Sequence, residues 1–217
     1  MLETQYFKQQ DGSKIAYKTL EPHNPEDIKN EIPLVLIIGL WCVKEEFICL
    51  EEVIIFDNRG MGESSVVSSD DPISLDLMAQ DTIALVKHLG IKKFNLLGWS
   101  MGGFIVFYVA LNVPSNLTLE KLIICSRTKR PIMNTLEKCF TDYMLENPEI
   151  LDKLAEIQFN SNRPFEIFNI VSKTQMIKTQ TLLLHGEADE ILPIVEGEFI
   201  ANAILNLKFI RIPNAGH

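Results

Sequence analysis

The sequence predicts an α/β protein, a doubly wound and mostly parallel sheet entered through an antiparallel hairpin. Three observations predict it. From Leu34 onward, short apolar runs rich in β-branched residues alternate with helix-periodic stretches, as in parallel strands covered on both faces. Before them, two alternating segments flank Asp11-Gly12, a strong hairpin signal. Near the middle, an apolar run passes through Gly98 and Gly102 directly into a helix that is apolar nearly all round.

Taken in order, residues 6–10 and 14–19 are the hairpin strands, and the charged, proline-marked stretch after them is a loop. Parallel strands are predicted over 34–38, 53–56, 94–97, 122–125, 181–184 and 208–212. Helices are predicted over 73–89, stopped by Gly90, over 101–112, and over 194–204. Between Gly39 and Glu52 there is room for only a turn or two, around 44–50. That is close to the minimum for a parallel crossover. Residues 128–179 break the rhythm with short helices around 132–145, 149–158 and 164–176, separated by Asn147-Pro148 and Arg163-Pro164. They read as a helical cap inserted into a single domain spanning 1–217.

Bulk properties narrow the function. With 217 residues, 47% apolar and 23% charged, the chain has a globular balance and length for one core. A formal charge of −9 opposes a nucleic-acid partner, and the densest basic run, Arg127-Thr128-Lys129-Arg130, is too short to offset it. Cys42, Cys49, Cys125 and Cys139 form no CxxC pair and no metal-ligand spacing, and Cys125 sits in an apolar run as a buried thiol would. A reducing compartment follows. The N-terminus lacks a secretory pattern and no apolar run reaches membrane-spanning length, so the cytoplasm is the expected location.

The segment Phe94-Asn95-Leu96-Leu97-Gly98-Trp99-Ser100-Met101-Gly102-Gly103 carries the chemistry. In G-x-S-x-G the glycines let a strand turn sharply into a helix, leaving the serine strained and exposed at the strand's C-terminal end. The helix N-terminus and the Met101 amide then lie beside the oxyanion that forms when the serine attacks a carbonyl. A serine hydroxyl is a weak nucleophile unaided and needs a base, which in turn needs an orienting acid. Downstream of Ser100 the histidines are His185 and His217.

With these residues the chain resembles the α/β-hydrolase superfamily, in particular its small esterases, lactonases and cofactor-free haloperoxidase-like members. Asp57-Asn58-Arg59-Gly60-Met61-Gly62-Glu63-Ser64 is similar to the family's D-x-R-G-x-G-x-S loop, which implies that Asp57 and Arg59 pin a loop rather than react. His185-Gly186-Glu187-Ala188-Asp189 resembles the family's acid loop, which puts Asp189 in the acid's place, with Glu187 and Glu190 as lower-ranked competitors. Pro213-Asn214-Ala215-Gly216-His217 resembles the loop that presents the histidine, so the family order of serine, acid and histidine selects His217 over His185. Gly39-Leu40 takes the place of the second oxyanion donor, the Leu40 amide, although Ile38 stands where the family commonly has histidine.

The resemblance implies a serine hydrolase acting on a carboxylic ester or lactone through an acyl-enzyme, with no metal and no organic cofactor. Branches that place aspartate at the nucleophile are disfavoured by Ser100. The cap residues Phe140, Tyr143, Met144, Phe159, Phe165 and Phe168 suggest a small-molecule substrate with an apolar group, or equally a core for the cap itself. Family members continue past the histidine loop into a C-terminal helix, so the sequence reads as shortened there, a fragment or a reduced member. The rival from another class is a non-catalytic or weakly active binding protein on the same fold.

Overall fold

The structure, a computed structural model, describes residues 3–21, 32–40, 42–48, 50, 52–68, 73–125, 173–190 and 192–216. Their strands are β1 (Gln5–Lys8), β2 (Lys14–Leu20), β3 (Leu34–Ile37), β4 (Val53–Phe56), β5 (Lys93–Trp99), β6 (Thr118–Cys125), β7 (Gln180–Gly186) and β8 (Leu207–Ile212). All eight form one sheet in the order β1-β2-β4-β3-β5-β6-β7-β8. The pairs β1–β2 and β2–β4 are antiparallel, and every pair from β4 to β8 is parallel.

The hairpin forms as the alternation predicts. Gly12 takes φ 93°, the Gln9 amide donates to the Ser13 carbonyl, and Asp11 Oδ1 accepts from the Ser13 amide at 2.9 Å. Strand β6 begins earlier than its apolar run, because Thr118 to Lys121 also find partners on β5. Pairing, rather than hydrophobicity, sets that boundary.

Among the described residues the α-helices are α1 (Leu75–His88), α2 (Met101–Asn112) and α3 (Ile194–Ala203). Helix α1 starts two residues after the expected position because Ser74 caps it, its Oγ accepting from the Leu77 amide. It buries Met78, Asp81, Thr82 and Leu85 along one stripe against the core. His88 lies at the exposed end, yet its ring stacks on Phe7 with centroids 4.5 Å apart. Helix α2 has the predicted bounds and packs against β5 and α1 within the larger core, with Ile105, Val106 and Val109 fully buried.

A smaller apolar cluster forms around Leu36, Ile38, Val53 and Ile55, joined by Cys42, Phe47 and Trp99. Among its described residues, the β3–β4 crossover supplies one 3₁₀ turn, Lys44–Phe47, in keeping with its length. Phe47 meets Trp99 edge to face at 5.5 Å. Of the predicted cap, residues 128–172 fall outside the described residues. Of the part that is described, Thr174 and Ile177 are buried.

Candidate active site

Ser100 stands where β5 ends and α2 begins, half-buried, with φ 54° and ψ −120°. A non-glycine residue held there costs on the order of 1–3 kcal/mol, which the surroundings must offset. They do so through the main chain. The Ser100 amide donates to the Cys125 carbonyl at the end of β6 at 2.9 Å, and its carbonyl accepts from the Gly103 amide at 2.8 Å. Gly102 is required by close approach, since a Cβ there would lie 2.1 Å from the Ile37 carbonyl oxygen. The first turn of α2 therefore rests directly on the end of β3.

A helix start and a glycine turn flank the serine. Met101 is the first residue of α2, where helical N–H groups lack intrahelical acceptors and the helix dipole is positive. From the other side Gly39 packs on the nucleophile, a Cβ built at Gly39 standing 3.0 Å from Ser100 Cβ. The Gly39 carbonyl accepts a turn bond from the Cys42 amide at 3.4 Å. Because C=O and N–H point opposite ways across a trans peptide, the Leu40 amide is directed away from that turn. Trp41 and His217 lie outside the described residues.

The loop after β7 separates its carboxylates by burial. Asp189 is 6% exposed, whereas Glu187 and Glu190 face solvent. Asp189 Oδ1 accepts from the Leu192 amide at 2.8 Å, and Oδ2 lies 3.8 Å from His185 Nε2. His185 is buried beneath this loop, with Nε2 2.7 Å from the Leu192 carbonyl and its ring edge-on to Phe209. That contact makes Nε2 the proton-bearing nitrogen of the neutral ring.

The chain leading to His217 is docked on the same loop. The Ala188 amide donates to the Ala215 carbonyl at 2.9 Å, and the Glu187 amide donates to the Ile212 carbonyl at 3.1 Å. Gly186 permits this approach, because a Cβ there would stand 2.3 Å from the Ala215 oxygen. Register does the rest. Trp99 pairs with Cys125, and Cys125 with Leu184, so elbow and acid loop emerge at the same sheet edge two strand spacings apart. At about 4.8 Å per spacing that is roughly 10 Å, room for a bridging side chain.

Asp57 and Arg59 behave as loop anchors. Asp57 is fully buried and accepts from the Lys44 amide at 2.7 Å, Lys44 Nζ at 2.8 Å and the Glu63 amide at 2.9 Å. Arg59 grips Asp81 of α1 through Nε–Oδ2 at 2.8 Å and Nη2–Oδ1 at 2.6 Å, and reaches Asp11 at 3.0 Å through Nη1. Gln9 also bonds Asp81. Burial pulls the Lys44 ammonium toward neutrality, but the Asp57 charge and the hydrogen bonds that Lys44 donates to Asp57, Glu63 and Glu45 carry it above the ordinary lysine range. The hydrogen bond from Lys44 holds Glu63 down at about 2, against the opposing effect of its partial burial.

Among the described residues, the group with spacing for a metal ion is Glu45, Asp57 and Glu63, and the Lys44 ammonium meets all three. Sequence reasoning passed over Lys44, Asp81 and Asn58. Asp81 alone left a signal, a carboxylate within the apolar stripe of α1.

A positive-φ serine between strand and helix, on a sheet of this order, defines an α/β hydrolase by fold. The family model described as "alpha/beta hydrolase fold" matches residues 45–119. Among curated proteins the chain is similar to 3-oxoadipate enol-lactonase 2 of Acinetobacter baylyi, 26% identical over 193 residues, covering 76% of this chain and 71% of that protein. It is 24% identical over 194 residues to the human serine hydrolase BPHL, covering 76% and 62%. Among solved structures, a protein described as a lipase from Acinetobacter baumannii AYE superposes with a TM-score of 0.78 at 20% identity, covering 100% of this chain and 85% of that one. The chain has the α/β-hydrolase fold and is similar in sequence to hydrolases of that fold. Among the described residues, no helix is long and apolar enough to cross a membrane.

Proposed function

We propose that the protein is a serine hydrolase that cleaves a carboxylic ester or lactone through an acyl-enzyme. The observation that carries this reading is Ser100 at φ 54°, held between the α2 N-terminus and the Gly39 turn. A strained, half-buried serine between a helix N-terminus and a tight glycine turn has the layout for nucleophilic attack with oxyanion stabilisation. The names of the lactonase and serine-hydrolase relatives support the same class.

Ser100 Oγ attacks the substrate carbonyl while His217 takes its proton. The tetrahedral oxyanion is held by the Met101 and Leu40 amides. Collapse expels the alcohol, which receives the proton from His217, and leaves the acyl group on Ser100. Water, deprotonated by His217, then attacks the acyl carbon and releases the acid. Asp189, the buried carboxylate of its loop, orients the imidazole and stabilises its charged form. The docking of residues 212–216 on Gly186 and Ala188 supports this assignment, because it lays the segment that precedes residue 217 along the loop that carries Asp189. No metal or organic cofactor enters the scheme. The substrate is a small molecule, and a cap over 128–179 selects its apolar group.

A fluorophosphonate probe tests the reading. Stoichiometric labelling that disappears in Ser100→Ala, with p-nitrophenyl acetate turnover that collapses in His217→Ala, is expected. Folded protein that takes up no probe, or labelling that survives Ser100→Ala, would instead identify a non-catalytic binding protein on this fold.

A further inference from the structure

Asn58 follows β4, 1% exposed, in a loop whose neighbours Asp57 and Arg59 are spent on ion pairs. Its side chain does something different. Nδ2 donates to the Ile38 carbonyl at 3.0 Å, across 20 residues of chain, while its Oδ1 is buried with no hydrogen-bond partner among the described residues. A buried acceptor left without a donor is unfavourable, so this amide is not explained by stability alone. The Ile38 carbonyl is also where the nucleophile's helix lands, since a Cβ built at Gly102 would stand 3.1 Å from that oxygen. Asn58, the end of β3 and the first turn of α2 therefore meet at one carbonyl.

We infer that Asn58 is a positioning residue for the oxyanion hole, acting through Ile38 on the Gly39-Leu40 turn. This rests on the hydrolase reading above. The bond to Ile38 fixes the peptide plane entering Gly39, and the Cys42–Gly39 bond fixes the plane leaving it. The Leu40 amide is thus held from both sides at its angle to Ser100. An oxyanion donor works only when already aimed at the oxygen in the transition state, so loosening its support lowers kcat more than it raises KM.

The test uses Asn58→Leu, which removes the donor and the unpaired acceptor together at similar volume, and Asn58→Asp, whose ionised carboxylate cannot donate to Ile38. With p-nitrophenyl acetate, each variant is expected to lose about 10- to 100-fold in kcat with KM within about threefold of wild type. Asn58→Leu should keep the wild-type thermal midpoint. Wild-type kcat in both variants, or a kcat loss that tracks loss of folded protein, overturns the inference. Backbone ¹⁵N–¹H spectra give an independent reading that needs no turnover. The Gly39 and Leu40 amide resonances should move in both variants while those of α1 stay in place, and unmoved Gly39 and Leu40 signals refute the positioning role. Wild-type protein that takes up no fluorophosphonate refutes the hydrolase reading and the catalytic purpose with it, leaving the spectra to decide the contact alone.

Discussion

Lys44 and Asp57 are joined twice, main-chain amide to Oδ1 at 2.7 Å and Nζ to Oδ2 at 2.8 Å, with both side chains fully buried. The pair ties the short β3–β4 crossover to the loop after β4. Where a longer connection would cover the sheet with a helix, this one contributes, among its described residues, one 3₁₀ turn and a buried charge. Breaking a buried pair on one side leaves the other charge uncompensated, at a typical cost of about 3–5 kcal/mol. Lys44→Met is expected to lower the urea-unfolding free energy by that order, and a loss below about 1 kcal/mol would show that water reaches Asp57.

Backbone strain at Ser100 separates stability from activity. Glycine accepts φ 54° freely, whereas alanine keeps the penalty. Both Ser100→Gly and Ser100→Ala should abolish fluorophosphonate labelling. Ser100→Gly should nonetheless be the more stable of the two, by about 1 kcal/mol after glycine's own entropy cost. Equal midpoints in chemical denaturation would mean that the elbow is not strained.

Gly102 admits no side chain. A Cβ placed 2.1 Å from the Ile37 oxygen meets main chain, which cannot swing away as a flexible side chain would. Gly102→Ala should displace the start of α2 from β3 and cost about 2–4 kcal/mol, in the range of severe overpacking. Circular-dichroism melts read the stability, and probe labelling should fall with it.

Asp189 and its loop neighbours should part company in kinetics. With Asp189 buried and Glu187 and Glu190 exposed, Asp189→Asn is expected to reduce kcat by about 10³- to 10⁴-fold, while Glu187→Gln and Glu190→Gln remain near wild type. Loss of activity in either glutamine variant, with Asp189→Asn active, would move the acid to another residue.

Glu63 supplies a pH signature. Its carboxyl titrates at about 2 in the folded protein, below an ordinary 4.5, because Lys44 hydrogen-bonds the charged form. A depressed carboxylate pKa stabilises the fold above the unfolded value and loses that contribution as pH falls through the folded one. The thermal midpoint of wild type should exceed that of Glu63→Gln above pH 5, and the gap should close between about pH 4.5 and 2. Because Glu63 is nearly half exposed, the gap is modest. A gap that persists unchanged at pH 2 would assign it to something other than charge.

Much of the fold was legible in the chain. The hairpin at Asp11-Gly12, the parallel strands and the bounds of α2 follow from period, turn chemistry and glycine placement, which act over a few residues. The strained conformation of Ser100 follows from the same local source, since Gly98 and Gly102 bracket it. Element edges were less legible. The start of α1 depended on the Ser74 cap and the start of β6 on pairing with β5.

What the sequence determined by itself was therefore the order of strands and helices, the position of the nucleophile, and the short set of residues that could serve it. Only the tertiary structure decided which of those residues are buried, and with whom. Asp189 separates from Glu187 and Glu190 because its loop folds inward against Leu192. Lys44 finds Asp57 across 13 residues and Arg59 finds Asp81 across 22. Periodicity records how a residue relates to its chain neighbours. Burial and charge pairing arise when distant segments close on one another, so they are fixed only in the folded sheet.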